Sequence, residues 1–458
     1  ITGSAGGAEI QDAIDLAASG ATINIAAGAY NENVNVNKSV TLDGVGTADT
    51  IIDNSGVLFT VAADDVRFQD MTLQNASQGI RTYLPAGTID NLQVNNVHFV
   101  DMSSRGIEIH NDTTMTNMSV ADSLFQDTGV GIRLSSSAVG NGIDITTSIF
   151  DGGTLGFYQS NDGSTGNVRD LQISGTTFRN FTDTAVFAEE IRDSAIDDNI
   201  FEDNRRDFTL FKAYTTAGTP VENLQIINNE MTNSAQTAVI IYVTGSGLGS
   251  GIDISNNTIT SDVGLLLDER GKIDIYLEAT ESHSPINITE NSITFSGTFA
   301  AAEAVYGIKV RGGSDSINIE RNTLDGGGVG SNGGTPLTSG IYVRTNDAGM
   351  GAISSSAVIN VLNNFITGFD AAVSVHDQVS GQFGGLTAGA QLNVNNNSIA
   401  GNAAGITSGT GGLVNASNNW WGPETETTIA GLMTGGVDFT SYLDNGTDTD
   451  GGTAGFQG

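Results

Sequence analysis

A six-residue unit recurs thirteen times along this chain, and no other feature of the sequence restricts the fold as strongly. The unit consists of an apolar residue, four mostly polar residues and a second apolar residue. Its copies begin at Phe68, Val94, Val120, Ile145, Ile173, Ile196, Ile226, Ile254, Ile288, Ile319, Val361, Val394 and Ala416. Successive copies start 22 to 42 residues apart, a spacing typical of a solenoid whose coils stack on one another. Chain length is therefore a poor guide to the number of domains.

The fourth place of the unit is asparagine in each of the last eight copies. These residues are Asn199, Asn229, Asn257, Asn291, Asn322, Asn364, Asn397 and Asn419. A short amide side chain at a bend can bond the backbone of its own turn, and stacked amides can bond one another. We therefore predict an asparagine ladder that satisfies backbone groups in a bend from which water is excluded.

A small residue followed by an apolar residue comes about twelve residues after most units begin, as at Gly79, Gly106, Gly131, Gly307 and Gly340. Each coil then holds a strand, the asparagine bend, a second strand, a loop and a third strand that opens at the small residue. Side chains alternate along such strands with a period of two, so one face of each strand points inward. Because only 7% of the residues are aromatic, we expect a core of Ile, Val, Leu and Ala.

This pattern resembles the right-handed parallel β-helix superfamily, the pectate-lyase-like fold, over about residues 21–421. The resemblance implies an all-β, single-stranded right-handed parallel β-helix with three strands per coil. It also implies that the ladder lies between the second and third sheets, and that the Gly-led strands form the first sheet. The enzymes of the superfamily have their groove along that first sheet. Similar β-helix modules occur in large bacterial secreted and surface proteins.

The two ends of the chain differ from the repeat. Residues 1–20 contain an apolar stripe with helical spacing between Ile10 and Ala17, which predicts a short N-terminal capping helix over the first coil. Two adjacent tryptophans stop the repeat, so residues 422–443 are predicted to form a C-terminal cap. Residues 444–458 are rich in Gly, Thr and Asp, which is typical of a linker.

The charge of the chain excludes one class of partner. Lys and Arg number 17 against 52 Asp and Glu, so the net charge is −35, and such a protein repels the phosphate backbone of nucleic acids. No run approaches 18 apolar residues, so no transmembrane segment is expected. The chain has no cysteine, and its polarity is carried by Asn, Thr, Ser and Gly rather than by charge. That combination is typical of an extracellular β-solenoid, and we expect a secreted protein of the bacterial cell surface.

Basic and aromatic residues gather on the solvent side of the Gly-led strands, a surface that we call the strip. The members that we single out for contact with a glycan are Arg81, Tyr83, His110, Arg133, Tyr158, Lys212 and Tyr214. Cations beside aromatic rings suit an anionic or neutral glycan. The simpler explanation for any one of these residues is an ordinary surface pair with a neighbouring carboxylate on an acidic protein.

A second group on the strip has the residue types for β-elimination or epimerisation at a uronate. Its members are Lys309, Arg311, Tyr342, Arg344 and His376. Such a reaction needs a cation to neutralise the carboxylate, a base for the proton on C5 and an acid for the leaving oxygen. The sequence nevertheless lacks the Trp-Ile-Asp-His, Arg-x-Pro-x-x-Arg and Asp-Pro-His motifs of enzymes in the superfamily.

Two interpretations of function stay open. The favoured one is an extracellular structural or adhesive module of a bacterial cell-surface, surface-layer or filament protein, whose partner is a polysaccharide, a cell-surface glycan or another copy of itself. The alternative is a polysaccharide lyase or uronate C5-epimerase that acts in a groove along the Gly-led strands. No cofactor is required for the first. Acidic loops at Asp262–Asp268, Glu278–Glu281 and Asp444–Asp450 are candidates for Ca²⁺, although none matches an EF-hand loop.

Overall fold

The computed structural model describes residues 9–160, 166–212, 221–243, 251–262, 271–277, 285–296, 305–312, 316–328, 338–347, 351–377, 386–409 and 412–458. The chain divides into two compact units, of which unit 1 ends at Arg205 and unit 2 begins at Arg206. Two helices are found among these residues, α1 (Glu9–Leu16) in unit 1 and α2 (Glu426–Gly431) in unit 2.

The other regular structure in the described ranges consists of short strands. Those of unit 1 are Ala21–Asn24, Gly28–Tyr30, Val34–Val36, Val40–Asp43, Thr50–Asp53, Val57–Val61, Val66–Gln74, Gln78–Thr82, Thr88–Asp90, Leu92–Val100, Arg105–Ile109, Thr114–Ala121, Leu124–Leu134, Val139–Thr146, Ile149–Gln159, Asn167–Ser174, Thr177–Arg179, Thr184–Ala188, Ile191–Asp197 and Ile200–Glu202. Those of unit 2 are Arg206–Lys212, Glu222–Ile227, Glu230–Thr232, Thr237–Val243, Ile252–Ser255, Thr258–Ser261, Gly271–Leu277, Ile286–Thr289, Ser292–Phe295, Tyr306–Gly312, Ser316–Glu320, Thr323–Asp325, Ser339–Asp347, Gly351–Ala352, Val358–Leu362, Phe365–Thr367, Ala371–Asp377, Gln391–Asn395, Ala404–Thr407, Val414–Asn415, Met433–Thr434 and Val437–Asp438.

The strands of the repeat pair in parallel with the strand one coil earlier and one coil later. Val94, for example, pairs with Phe68 on one side and with Val120 on the other. Among the described strands, one short antiparallel pair, Asn346 with Ala352, departs from this rule. The pairing winds each unit into a right-handed parallel β-helix with three strands per coil, which confirms the predicted fold class.

The coils bend at residues in the left-handed backbone region, and in unit 1 these residues lie five apart. One coil bends at Asn91, Asn96 and Asp101, whose φ angles are 58°, 49° and 53°. Asn and Asp reach this conformation at lower cost than other residues with a side chain. The middle bend falls at the third place of the repeat unit. The ladder asparagine follows that residue and is not itself left-handed.

The fourth-place asparagines of unit 2 form a continuous hydrogen-bonded ladder. Each Nδ2 donates to the Oδ1 of the next residue at 2.9–3.0 Å, in the order Asn229, Asn257, Asn291, Asn322, Asn364, Asn397, Asn419. The backbone N–H of each donates to the same oxygen at 2.8–3.0 Å. All seven side chains are buried, so the ladder closes a bend that water does not reach.

In unit 1 the ladder continues with hydroxyl groups in place of amides. The sequence repeat does not show this, because the residue at the fourth place varies in unit 1. Asn199 accepts the backbone N–H of Thr176 at 3.0 Å. The hydroxyls of Thr176, Ser148 and Ser123 each accept the N–H of the fourth-place residue one coil earlier, at 3.2–3.4 Å. A hydroxyl serves the same donor as an amide oxygen because both are neutral acceptors on a short side chain.

The core of unit 1 contains a column of phenylalanines at the sixth place of the repeat. The column is Phe99, Phe125, Phe150, Phe178 and Phe201, with neighbouring ring centroids 4.3–5.3 Å apart. A Cβ added at Gly131 would lie 2.7 Å from the Phe150 ring and 2.6 Å from the Gly156 carbonyl. The aliphatic core expected from composition is present in unit 1 but also contains this aromatic column, and close packing of the rings requires glycine at the head of this strand.

Unit 2 buries a small polar network. Lys272 Nζ donates to the carbonyl of Ser234 at 2.6 Å, and the Ser234 hydroxyl donates to Asp207 at 2.5 Å. All three residues are buried. Burial lowers the pKa of Lys272 to about 8, while the charges of Asp207 and Asp262 oppose that shift.

Side chains of the first coils cap both ends of α1. The buried Glu32 accepts the N–H groups of Ile10 at 3.0 Å and Gln11 at 3.2 Å. Lys38 Nζ donates to three carbonyls at the opposite end, at 2.7–3.2 Å. A carboxylate at the N-terminus and an ammonium at the C-terminus both suit the helix dipole. This is the short capping helix that the sequence predicts.

The last residues of the chain lie back against the coils of unit 2. The composition of residues 444–458 is typical of a linker, yet Phe456 is completely buried. Its N–H donates to the carbonyl of Asn363 at 2.7 Å, and its ring lies edge-on to Phe365 with centroids 5.4 Å apart. One aromatic side chain thus docks a glycine-rich segment, an arrangement that composition does not indicate.

Candidate functional site

The strip occupies outward positions of the Gly-led strands, where parallel pairing stacks equivalent side chains about 4.8 Å apart. One row in unit 1 consists of Thr60, Arg81, Glu108, Arg133, Tyr158 and Phe187. The two rows in unit 2 consist of Thr209, Ile240, Asp274, Lys309, Tyr342 and Ser374, and of Phe211, Tyr242, Tyr276, Arg311, Arg344 and His376. The stacking decides which of the predicted residues are neighbours.

The centre of the strip in unit 1 is a buried carboxylate. Glu108 is 4% exposed and accepts hydrogen bonds from Gln78 Nε2 at 2.8 Å and from the Ser135 hydroxyl at 2.9 Å. The guanidinium of Arg105 lies 3.3 Å from the same carboxylate. Burial lowers the pKa of Arg105, the charge of Glu108 opposes this, and the charge of Arg133 adds to it. Glu108 is therefore fixed in place by three neighbours.

Arg81 and Arg133 flank Glu108 on the two adjacent coils. The buried Nε atoms of both, and of Arg105, have no hydrogen-bond partner within the part of the chain that the structure describes. Arg105 thus pairs with the one carboxylate, while Arg81 and Arg133 lie in register with it on the adjacent coils, so three arginines accompany a single Glu108 on a protein of net charge −35. Like charges this close repel one another, and an anion placed between them would relieve the repulsion.

Two aromatic side chains border these arginines. Tyr83 is 43% exposed, meets His110 edge-on at 5.0 Å, and has the Arg81 guanidinium 5.3 Å from its ring centroid. Arg133 lies 5.7 Å from the ring centroid of Tyr158. The structure therefore brings Arg81, Arg133 and their rings together on one face, with Tyr83 the most exposed.

In unit 2 the strip is occupied by contacts within the protein. Arg311 forms two parallel hydrogen bonds to the fully buried Asp274, at 3.1 Å and 2.9 Å, and lies 4.1 Å above the Tyr276 ring. The Tyr276 ring in turn stacks on Tyr242 at 4.4 Å, and Tyr242 stacks on Phe211 at 4.5 Å. Ring faces that pack against each other are not available to a sugar.

The remaining candidates of unit 2 lie around Tyr342. Lys309 Nζ is 5.3 Å from the ring centroid of Tyr306 and 5.4 Å from that of Tyr342, and Lys309 has no exposed surface. Arg344 lies 6.0 Å from the Tyr342 centroid and is itself buried. His376 is in register with Arg344, and its ring is 5.7 Å from Tyr342. The structure thus brings these four candidates together.

Two candidates for glycan contact are placed differently. Lys212 is buried and pairs in register with Val243. It follows Phe211 of the outward row, and because side chains alternate along a strand, its position faces inward. Tyr214 lies outside the described residues, as do most of the loops at 294–306 and 325–339 that precede the strands of Lys309 and Arg344.

Three residues that the sequence analysis does not single out belong to the strip: Gln78 and Arg105 beside Glu108 in unit 1, and Asp274 beside Arg311 in unit 2. Gln78 and Arg105 immediately precede the small residue of their strands and are partners in register. Their position before the glycine is the one signal in the sequence that identifies them. Asp274 is identified as a member of the strip only by its register with Lys309. Its strand begins with Gly271-Lys272, so it lacks the pattern of a small residue followed by an apolar residue.

Neither a metal site nor a membrane span is found in the described part of the chain. The residues there contain no group of three or more His, Cys, Asp or Glu side chains arranged to hold a metal ion. Of the acidic loops considered for Ca²⁺, Glu278–Glu281 lies outside the described residues, and so does most of Asp262–Asp268. No described helix has the length and apolar character needed to cross a bilayer.

No protein-family model matches the sequence, and no curated protein matches it either. Several solved structures are similar in fold. The A-module of the mannuronan C-5 epimerase AlgE6 from Azotobacter vinelandii is 16% identical, with 69% of this chain and 89% of that chain covered and a TM-score of 0.46. A mutant tailspike protein of E. coli bacteriophage HK620, solved with a pentasaccharide, is 14% identical, with coverages of 95% and 74% and a TM-score of 0.45.

The surface adhesin PfbA of Streptococcus pneumoniae is 12% identical, with 94% of this chain and 87% of that chain covered and a TM-score of 0.34. Identities of 12–16% and TM-scores below 0.5 transfer no ligand and no residue role to this chain. The fold is established by the strand pairing itself. By that pairing, the chain is a parallel β-helix protein.

Proposed function

We propose that this chain is a non-catalytic, extracellular β-helix module that holds an acidic glycan on the unit 1 part of the strip. The cluster of Arg81, Arg105 and Arg133 around Glu108 carries the proposal. It places positive charge on a strongly acidic protein, and three buried Nε donors there have no partner among the described residues. Arg81 and Arg133 are half-buried, so the carboxylate or sulfate of a glycan can meet the exposed part of each guanidinium.

The exposed ring of Tyr83 supports the same proposal. A sugar bound between Arg81 and Arg133 would lie beside this ring, which offers apolar surface next to two cations. The module would act in adhesion or in a surface layer or filament of a bacterium. Secretion is an expectation from composition, and Ca²⁺ binding is likewise a prediction that calorimetric titration of a demetallated sample would test.

Binding to an array of acidic and neutral glycans, followed by titration calorimetry with the best ligand, tests the proposal. We expect Arg133→Ala to weaken binding at least tenfold, and binding to weaken as salt is added. Arg169→Ala is the matched control, because Arg169 forms only an exposed pair with Asp193 at 3.7 Å in the same unit. Equal losses in the two variants, or no acidic ligand, would refute the proposed site.

A uronate lyase or C5-epimerase is the second candidate, and the grouping of Tyr342, Arg344 and His376 favours it. The ion pair of Arg311 with Asp274 counts against it, because that guanidinium is already neutralised. Incubation with alginate and pectate, followed by NMR of the sugar residues, distinguishes the two. Turnover that disappears in His376→Ala, with the Arg133→Ala variant still active, would replace the binding proposal with the enzymatic one.

A further inference from the structure

The strand that follows the ladder bend carries an outward row of largely apolar residues in unit 1. This row, which we call the apolar row, is His98, Leu124, Ile149, Thr177 and Ile200, paired in register on successive coils. Ile149 and Ile200 are each 41% exposed, and Leu124 is half-buried. Leu124 and Ile149 are neighbours in register, so their exposed parts form one continuous apolar patch, a feature typical of an interaction surface.

In unit 2, the row at the same position, on the strand after the ladder bend, has apolar residues only where another segment of the chain covers them. Its first four members are polar, namely Glu230, Thr258, Ser292 and Thr323. The next, Phe365, is covered by Phe456 of the last residues of the chain. Trp420, further along the same row, has Gly446 of that segment against its indole ring. The apolar members of this row are thus covered by a glycine-rich segment.

A backbone contact accompanies this apolar contact. The N–H of Phe456 donates to the carbonyl of Asn363, two residues before Phe365, and Asn363 has a φ of 58°. In unit 1 the residue two positions before Ile149 is Thr147, with a φ of 47°. Both coils therefore present the carbonyl of a left-handed residue beside the apolar side chain.

From this correspondence we infer that the apolar row of unit 1 is a docking site for an extended, glycine-rich segment of a partner protein that carries an aromatic side chain. The aromatic ring packs on Ile149, and its backbone N–H donates to the carbonyl of Thr147. The segment comes from another protein because residues 444–458 of this chain already cover the row of unit 2. This contact is separate from the proposed glycan site on the Gly-led strands.

A fluorescent peptide with the sequence of residues 444–458 is the probe, and its anisotropy is followed as the full chain is added. We expect saturable binding that weakens at least tenfold in Ile149→Asp, because the aspartate places a charge under the ring. Ile149→Thr, which matches Thr177 of the row, is the milder second variant and weakens binding less. Thr258→Asp, at an exposed position of the unit 2 row two coils before Thr323, is the control and leaves binding unchanged.

A peptide in which alanine replaces the phenylalanine corresponding to Phe456 tests the aromatic contact, and we expect it not to bind. Absence of saturable binding to the full chain, or equal binding to wild type and Ile149→Asp, overturns the inference. Sedimentation that shows a dimer abolished by Ile149→Asp also overturns it, since the occupant is then a second copy. Glycan binding by Ile149→Asp stays at the wild-type level, so failure of this site is distinguishable from failure of the proposed function.

Discussion

The asparagine ladder offers the sharpest test of what holds the coils together, because one coil contains both a buried and a half-buried amide. Asn322 is fully buried in the ladder. Asn318, four residues earlier, belongs to a second, half-buried amide row on the sheet surface, where its Nδ2 donates to Asn287 Oδ1 at 2.9 Å. Replacing each by alanine removes the same chemical group from the same coil, once in a dry site and once beside water.

The magnitude follows from the groups left without partners. Asn322→Ala deprives the buried N–H of Asn291 of the acceptor it has at 2.9 Å, and the Ile288 carbonyl of a donor at 2.8 Å. A buried polar group without a partner costs about 1–3 kcal/mol, so the loss should be about 3 kcal/mol. At Asn318 water replaces the amide, and the loss should stay below about 1 kcal/mol. Asn322→Asp should cost more than alanine, because it buries a carboxylate whose oxygen faces two other acceptors, the Ile288 carbonyl and Asn364 Oδ1.

Urea unfolding measures these differences. Both tryptophans of the chain lie in unit 2, so their fluorescence reports on the unit that contains the ladder, while far-UV circular dichroism follows all strands. The expected order of unfolding free energy is wild type, Asn318→Ala, Asn322→Ala and Asn322→Asp, from highest to lowest. Equal losses for the two alanine variants would refute the reasoning, and so would an aspartate variant as stable as the alanine variant.

Three further predictions concern other parts of the fold. Between pH 8 and 10.5, Lys272 is deprotonated in the folded chain and protonated in the unfolded chain. The unfolding free energy of unit 2 should therefore rise with pH by up to about 3 kcal/mol, and urea midpoints should show no such rise in Lys272→Met. Phe150→Ala interrupts the stacked column and should lower the unfolding free energy of unit 1 by about 3–5 kcal/mol; a loss below 1 kcal/mol, measured by circular dichroism, would contradict the packing argument. Lys38→Met removes the donor to three carbonyls of α1 and should speed hydrogen exchange in that helix, whereas the exposed Arg67→Met should not.

Much of the architecture was predictable from the sequence because the solenoid repeats its packing. The fourth-place asparagine, the apolar positions around it and the small residue of the first-sheet strand each recur in coil after coil, so a weak local preference becomes a strong periodic signal. The hydroxyl ladder was not predictable, because Ser123, Ser148 and Thr176 accept the backbone N–H that asparagine accepts in unit 2, but with a different side chain. Nor does composition show that Phe456 docks its segment.

The candidate site was predictable in position but not in chemistry. Outward basic and aromatic residues identify the strip. Whether a basic side chain can bind a ligand depends on the side chain beside it on the neighbouring coil. The lengths of the loops vary, so the sequence does not show which residue that is. Arg311 meets Asp274 and is neutralised, whereas Arg81 and Arg133 meet a carboxylate that Arg105 already pairs. Only the register between coils distinguishes these two outcomes.

The direction of the ladder bonds also bears on how the chain is made. Every backbone N–H from Asn229 to Asn397 donates to the amide oxygen on the following coil. Each Nδ2 from Asn257 to Asn397 divides its two hydrogens, one donating to the next amide oxygen and one to a backbone carbonyl on the preceding coil. During synthesis from the N-terminus, each new coil therefore leaves two donors waiting until the next asparagine emerges and accepts them. We therefore expect unit 2 to wind from its N-terminal coil onward, with the donors of each coil satisfied only when the next coil adds its asparagine.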